Sequence, residues 1–131
     1  MTDVKFITLE PDSARAKYQS DVAIIGNWGM ISGIRPVDLN DDRIAVPDGL
    51  ERQIKKTLDN LDQILTSLGM TKANIVSVQI SLIEFDRFFE RMNVVYQRYF
   101  VDHKPLRTCS GVVALTRGVL IEISCMLYKP D

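Results

Sequence analysis

Histidine, cysteine and tryptophan are scarce in this chain of 131 residues, which contains one, two and one of them respectively. A zinc site built from histidines needs more than one imidazole, so the lone His103 excludes it. A Ser-His-Asp triad would have to use His103, which lies between Asp102 and Lys104 just after a helical pattern. We therefore expect His103 at a solvated helix C-terminus, and we predict that the chain holds no metal.

The two cysteines, Cys109 and Cys125, both lie in apolar segments with strand character. They could face each other across a hairpin, so a disulfide stays open as an alternative. Their spacing is not that of a zinc site. Two reduced and partly buried thiols are the preferred interpretation.

Neither sign of charge dominates the chain, because 16 basic residues stand against 17 acidic ones and the net charge is -1. No lysine and arginine cluster is present, which argues against nucleic acid as a partner. No apolar run approaches the roughly 20 residues of a membrane helix, so no membrane partner is expected. The segment MTDVKFITLEPDS lacks the basic start and long apolar core of a signal peptide, and we expect a cytoplasmic protein.

The remaining composition is that of a globular protein, with 46% hydrophobic and 25% charged residues. The length suits one domain with one core, residues 1–131. Within it, apolar periodicity and turn residues predict the order β-ββ-α-β-α-ββ. The predicted strands are 4–9, two within 20–34 that join at Gly26-Asn27, 74–85, 106–115 and 119–128, and the predicted helices are 50–68 and about 86–100.

The first helix has the clearer ends. Asp48 is the predicted N-cap, Glu51 stands in the capping-box position, and Gly69 is the expected C-terminal stop. Antiparallel runs with two interposed helices predict an α+β sandwich, with both helices on one face of a mixed sheet. Strand 74–85 has a polar face and no third helix is available to cover it, so we expect the chain to form an oligomer.

An arginine, Arg107, stands inside the strand segment HKPLRTCSGVVAL, on the same face as Cys109. If the last two strands form a hairpin in which Gly111 faces Glu122, then Glu122 lies on that face too, roughly 7 Å from Cys109. An arginine fork grips a carboxylate, and a partly buried glutamate can hold a water. The pattern predicts either a site for hydrolysis of a small carboxylate or an interfacial Arg–Glu pair that sets the oligomer geometry.

Six stretches of the chain together carry a family resemblance, and they are KYQSDV, ISGIRP, LERQIKKTLDNLDQIL with the LG that follows, NIVSVQISLIEFDRFFERMNVVYQRYF, KPLRTCSGVVAL and VLIEISCM. On these the chain resembles the Rid, or YjgF, family of reactive intermediate deaminases along nearly its whole length. The resemblance implies a chorismate-mutase-like fold and a homotrimer, with three sheets around a central barrel and one site in each cleft between subunits. It also implies hydrolysis of enamine and imine acids of the 2-aminoacrylate type to 2-keto acids and ammonia, without a cofactor.

The same resemblance implies roles for single positions. Arg107 would bind the substrate carboxylate, and Glu122 with the backbone carbonyl of Cys109 would orient the attacking water. Simpler roles stay open for four positions. Tyr18 could be a surface aromatic, Asn93 a cap or bridge between backbone groups, Cys109 a small buried residue and Ser32 a turn or strand residue. The further substrate-binding positions that the resemblance implies are Tyr18, Ser32, Gly33 and Asn93.

The chain departs from the family pattern at three points. Ile34 replaces a common glutamine, Ala16-Lys17 replaces Gly-Pro, and Ser124 replaces a frequent glutamate. These changes leave the Arg–Glu pair intact, and we expect them to alter the pocket wall and so the substrate. The alternatives are therefore a deaminase of a larger amino-dienoate such as 2-aminomuconate, or a trimer that binds small carboxylates without turnover.

Overall fold

A six-stranded mixed sheet carries two helices on one of its faces in the computed structural model, which describes residues 3–131. The sheet order is β1-β2-β3-β6-β4-β5, and only the β4–β5 pair is parallel. This arrangement confirms the predicted fold class. The elements are β1 (Val4–Ile7), β2 (Val22–Ile25), β3 (Trp28–Ile34), α1 (Leu50–Ser67), β4 (Ile75–Ile83), α2 (Phe85–Tyr99), β5 (Leu106–Val112) and β6 (Ile121–Tyr128).

Helix α1 buries the predicted apolar stripe against the sheet, with Leu50, Ile54 and Leu61 at most 1% exposed. The predicted N-cap is wrong. Gly49, with a φ of 84°, begins the helix and no side chain caps it, while Glu51 instead pairs with Arg91 of α2 at 2.7 Å. A glycine adopts this left-handed backbone without steric cost, so the chain turns into the helix there and Asp48 is not used.

The last two strands do not form a hairpin, which corrects the predicted pairing of β5 with β6. Helix α2 carries the chain from β4 across to β5 in parallel, and β6 then inserts between β3 and β4. The burial of the two strands explains the choice. β6 buries Ile121, Ile123 and Leu127, as a central strand must, whereas β5 buries no residue fully and forms the edge.

Two thiols remain free, as predicted, because β4 separates Cys109 on β5 from Cys125 on β6. His103 does not sit in solvent at the end of α2. Its Nε2 lies 2.7 Å from the carbonyl oxygen of Ile75, and the ring is partly buried against the start of β4.

No helix of the described chain, 3–131, combines the length and apolarity needed to cross a membrane. Met1 and Thr2, the start of the segment used to argue against a signal peptide, lie outside the described residues.

The sheet face opposite the helices is uncovered in the single chain. A row of paired residues crosses all six strands there, and large apolar side chains form most of it. Next to this row along β4, β5 and β6 the face becomes polar, as the alternation in strand 74–85 predicted. The exposed apolar side chains of this face are Val4, Phe6, Ile25, Trp28, Met30, Leu106, Met126 and Tyr128.

Candidate functional site

The structure separates the predicted site residues into two groups within one chain. Four of them, Tyr18, Ser32, Gly33 and Glu122, line one open cleft with a volume of about 540 Å³, which we call the glutamate cleft. The other three, Arg107, Asn93 and Cys109, lie together along β5 and α2, and we call them the arginine edge.

The glutamate cleft is built on an irregularity in β3. The pairing of β3 with β6 shifts register between Ile31 and Ile34, so Ser32 and Gly33 together face a single step of β6. Such a bulge turns side chains away from the regular alternation. It brings the backbone of Gly33 against the carboxylate of Glu122, whose Cδ would lie 2.5 Å from a Cβ built on position 33. Only glycine leaves room for Glu122 in this place.

Tyr18 reaches the cleft from a short 3-10 turn, Ala14–Lys17, that follows β1. A buried ion pair fixes the turn, since Arg15 Nε lies 2.8 Å from Asp21 Oδ1. The Tyr18 ring is 88% exposed and so has few contacts within its own chain. Beside it, Gln19 Nε2 donates a hydrogen bond to Ser32 Oγ at 3.1 Å, which ties the turn to the β3 bulge.

The arginine edge holds a guanidinium in a defined place. Arg107 Nη1 donates to Asn93 Oδ1 at 2.7 Å, and its Cζ lies 4.9 Å from the Tyr96 ring centre and 5.7 Å from that of Phe89. The ring faces attract the cation, and the Arg107 residue is exposed to solvent. Among residues 3–131 no carboxylate comes within 4 Å of Arg107, so the fork is available for an acidic ligand.

Cys109 follows Arg107 on the same face of β5 and is half-buried. Burial raises the pKa of its thiol, and the charge of Arg107 opposes that rise only in part. Burial therefore disfavours the thiolate, which is the nucleophilic form of cysteine. Because β5 is an edge strand, part of its backbone has no partner within the sheet and can bind a ligand or a second chain.

Glu122 and Arg107 do not share a sheet face, which corrects the geometry expected from the sequence. Glu122 pairs with Ser81 of β4 on the uncovered face, whereas Arg107 pairs with buried Val78 on the helix face. The two residues lie two strands apart across the sheet and three residues apart along the strands, so their Cα atoms are roughly 14 Å apart. Since β4 lies between them, one chain alone cannot place both side chains on one small molecule.

Several residues that support the cleft were missed in the sequence. Asn60 of α1, 1% exposed, donates from Nδ2 to the carbonyl oxygens of Arg35 and Val37. Gln53, also buried on α1, accepts from the backbone N–H of Leu120 at 2.7 Å, two residues before Glu122. The sequence contained an indication of this role, because these polar residues lie at helical spacing beside the apolar stripe of α1.

The three departures from the family pattern affect the cleft unequally. Ile34 does not form its wall, since it is 3% exposed and packs in the core. Lys17 is exposed outside the cleft, and Ser124 faces the open sheet surface. Arg35, the residue after Ile34, does line the cleft. In residues 3–131, moreover, no three His, Cys, Asp or Glu side chains are grouped as metal ligands would be.

Comparison with known proteins gives a consistent family assignment. Residues 8–128 match the family model described as endoribonuclease L-PSP. A RutC family protein of Pyrococcus horikoshii is 34% identical over 104 residues, which cover 79% of this chain and 81% of that protein. The 2-iminobutanoate/2-iminopropanoate deaminase of Rattus norvegicus is 28% identical over 125 residues, 95% of this chain and 90% of the rat protein.

Solved structures agree in fold. A Rid family protein of unknown function from Yersinia pestis superposes with a TM-score of 0.86 at 25% identity, covering 97% of this chain and 100% of the other. RidA from an Antarctic Psychrobacter bacterium gives a TM-score of 0.83 at 24% identity, covering 95% and 99%. The fold of the described residues is thus that of these proteins over nearly their full length.

Proposed function

The chain belongs to the endoribonuclease L-PSP family, which is the YjgF or Rid family of the sequence resemblance, and from this premise we propose that it hydrolyses small imine and enamine acids. The products would be a 2-keto acid and ammonia. The observation that carries the proposal is the Arg107 guanidinium, held by Asn93 and unpaired with any carboxylate of residues 3–131. The relationship to the rat imine deaminase supports the same reaction.

In the proposed mechanism Arg107 binds the substrate carboxylate through two parallel hydrogen bonds and fixes the position of C2. Glu122 accepts a proton from a water as the water oxygen bonds to C2, and the C=N π electrons move to nitrogen. Glu122 returns this proton to the nitrogen, which gives a carbinolamine. It then moves the hydroxyl proton of the carbinolamine to the amino group, so that the C–N bond breaks and ammonia leaves as the C=O bond forms. The reaction is a hydrolysis and requires no oxidant, no metal and no cofactor.

We further propose that the site forms between copies of the chain in a homotrimer. The glutamate cleft and the arginine edge lie on opposite sides of β4, so Arg107 of one copy would complete the cleft of another. The uncovered apolar face of the sheet supplies the surface for such an assembly, since exposed patches of this kind mark interaction sites. The thiol of Cys109 has no chemical role in this mechanism; its backbone carbonyl would help to orient the water.

No observation on the described residues favours a nucleic-acid substrate, although the family is named for an endoribonuclease. The net charge is -1, and within the cleft Arg15 and Arg43 are already paired with Asp21 and Asp41. Cytoplasmic location stays a prediction from the sequence. The alternative is a trimer that binds small carboxylates without turnover. The following experiment distinguishes it from the deaminase.

The test generates 2-aminoacrylate in situ with a pyridoxal-phosphate dehydratase and traps the surviving imine with semicarbazide. We expect the protein to lower the semicarbazone yield and speed keto-acid formation. Arg107→Ala should reduce this effect by a few orders of magnitude, because a bidentate carboxylate clamp is lost. A folded protein that binds pyruvate through Arg107 and gives no acceleration would contradict the catalytic proposal and support the binding role.

A further inference from the structure

Arg35 is a charged residue of the glutamate cleft to which the proposed mechanism gives no role. It directly follows β3 and lies two residues beyond Gly33, so it lines the same cleft as Glu122. Its backbone is fixed, since the carbonyl oxygen accepts hydrogen bonds from Asn60 Nδ2 at 2.9 Å and from the N–H of Val37 at 2.8 Å. A rigid backbone therefore directs this side chain.

The guanidinium of Arg35 is held in place and lacks an anionic partner. Nη1 donates to Thr116 Oγ1 at 2.6 Å, and among residues 3–131 no carboxylate lies within 4 Å of it. The side chain is half-buried, and burial lowers the pKa of Arg35, while the more distant charge of Glu122 opposes that change. A partly desolvated cation with free donors is a suitable binding partner for an anion.

Two of the other three arginines of the cleft differ from Arg35 in having a carboxylate partner, whereas Arg117 does not. Arg15 is buried against Asp21, and Arg43 is 88% exposed and paired with Asp41, both at 2.8 Å. Arg117 donates to the carbonyl oxygen of Ile44 at 3.1 Å. The unpaired positive charge of the cleft is thus confined to the Arg35 and Arg117 side, which suits one small anionic group and not a polyanion.

We propose that the glutamate cleft binds imino acids that carry a second acidic group, and that Arg35 recognises this group. The inference rests on the proposed function, which assigns the first carboxylate to Arg107. Because Arg107 belongs to the arginine edge and Arg35 to the glutamate cleft, a substrate between them would be held at both ends, with C2 beside Glu122. The predicted preferred substrate class is therefore a 2-imino dicarboxylate, which the site should hydrolyse more efficiently than a three-carbon imino acid.

The test compares two substrates of equal chain length that differ in one charge. 2-Iminoglutarate and 2-iminopentanoate are generated in situ from D-glutamate and D-norvaline by suitable D-amino-acid oxidising enzymes, and semicarbazide traps what remains. We expect kcat/KM to be at least about tenfold higher for 2-iminoglutarate. Arg35→Gln should remove this preference, and Arg43→Gln, which deletes the same charge from the same cleft at an ion-paired position, should retain it.

Two results would overturn the inference while leaving the deaminase proposal intact. One is equal turnover of both imines by the wild-type protein, and the other is an equal loss for both in Arg35→Gln, which would mean that Arg35 acts only on Glu122. A wild-type protein that accelerates neither hydrolysis would instead refute the proposed function. In that case calorimetry with the same variants compares the binding of 2-oxoglutarate and 2-oxopentanoate. Tighter binding of 2-oxoglutarate that is lost in Arg35→Gln would show that the second anion position exists, and equal binding would show that it does not.

Discussion

The carboxylate of Glu122 occupies the space that any side chain at position 33 would need. A Cβ on Gly33 would lie 2.5 Å from Cδ and 2.9 Å from Cγ of Glu122, well inside van der Waals contact. The two residues come from neighbouring strands, and the register shift in β3 brings them together. Gly33 is therefore a structural requirement for the position of the glutamate, in addition to any contact of its backbone with a ligand.

Gly33→Ala should displace Glu122 and lower kcat/KM by about a hundredfold or more, because a general base must stay within hydrogen-bond reach of its water. The fold should be preserved, since Gly33 lies at the open cleft. Imine hydrolysis and thermal melting measure the two effects separately. Gly29→Ala is the matched control, because the atoms nearest to its Cβ would be side-chain atoms of Ile24 and Leu127, away from Glu122. Retained activity in Gly33→Ala would show that Glu122 need not stand where the structure puts it.

Asn93 is expected to position Arg107, and two substitutions separate its possible effects. Asn93→Ala removes the 2.7 Å hydrogen bond and should lower kcat/KM by about tenfold. Asn93→Asp should raise KM more than Asn93→Ala does, since the new carboxylate forms an ion pair with Arg107 and competes with the substrate. Steady-state kinetics of both variants give the comparison. Equal KM values would mean that the Arg107 fork does not bind the substrate carboxylate.

Tyr96 carries a buried hydroxyl without a hydrogen-bond partner, and burial raises the pKa of this phenol to about 12. Tyr96→Phe should keep the ring beneath Arg107 and leave the melting temperature unchanged or slightly higher, because an unsatisfied polar group is removed. Tyr96→Leu should lower both activity and stability, since the cation–π contact and aromatic packing are lost. A marked loss of activity in Tyr96→Phe would show that the hydroxyl itself takes part.

The Cys109 thiol should not influence the pH dependence of the reaction. Burial raises the pKa of this thiol and so disfavours the thiolate. Cys109→Ser should therefore retain kcat/KM within about tenfold, with a pH profile of the same shape. The profile of the wild-type protein is the reference. A limb that disappears from it in Cys109→Ser would assign a chemical role to the thiolate.

Local patterns in the sequence predicted the elements and the fold class well. The stripe from Leu50 to Leu65 and the turn at Gly26-Asn27 depend on neighbours close in sequence, and both appear in the structure. The pairing of β6 failed because the order of strands in a sheet depends on packing between distant segments. The stronger apolar alternation of β6 compared with β5 could have indicated which of them is central.

The structure brings several of the predicted site residues together, but not in the arrangement expected from the sequence. Family resemblance identified Tyr18, Ser32, Gly33 and Glu122, which the structure brings into one cleft. The expected single-chain grouping of Glu122 with Arg107 assumed a hairpin that does not form. Arg35 was missed because its support by buried Asn60 is a long-range contact that no local pattern reveals.

The central claim, that each site combines Glu122 of one copy with Arg107 of another, is tested most directly by complementation. Arg107→Ala and Glu122→Gln are each expected to be inactive. They are co-expressed with different tags, and mixed trimers are isolated by purification on both tags in turn. In a cyclic trimer one site of every mixed assembly then receives both intact residues, so about one third of wild-type activity should return. Trimers that mix Arg107→Ala with the double variant, Arg107→Ala and Glu122→Gln, should stay inactive. Mixed trimers without activity would contradict the account, because they would mean that the two residues act within one chain or not together.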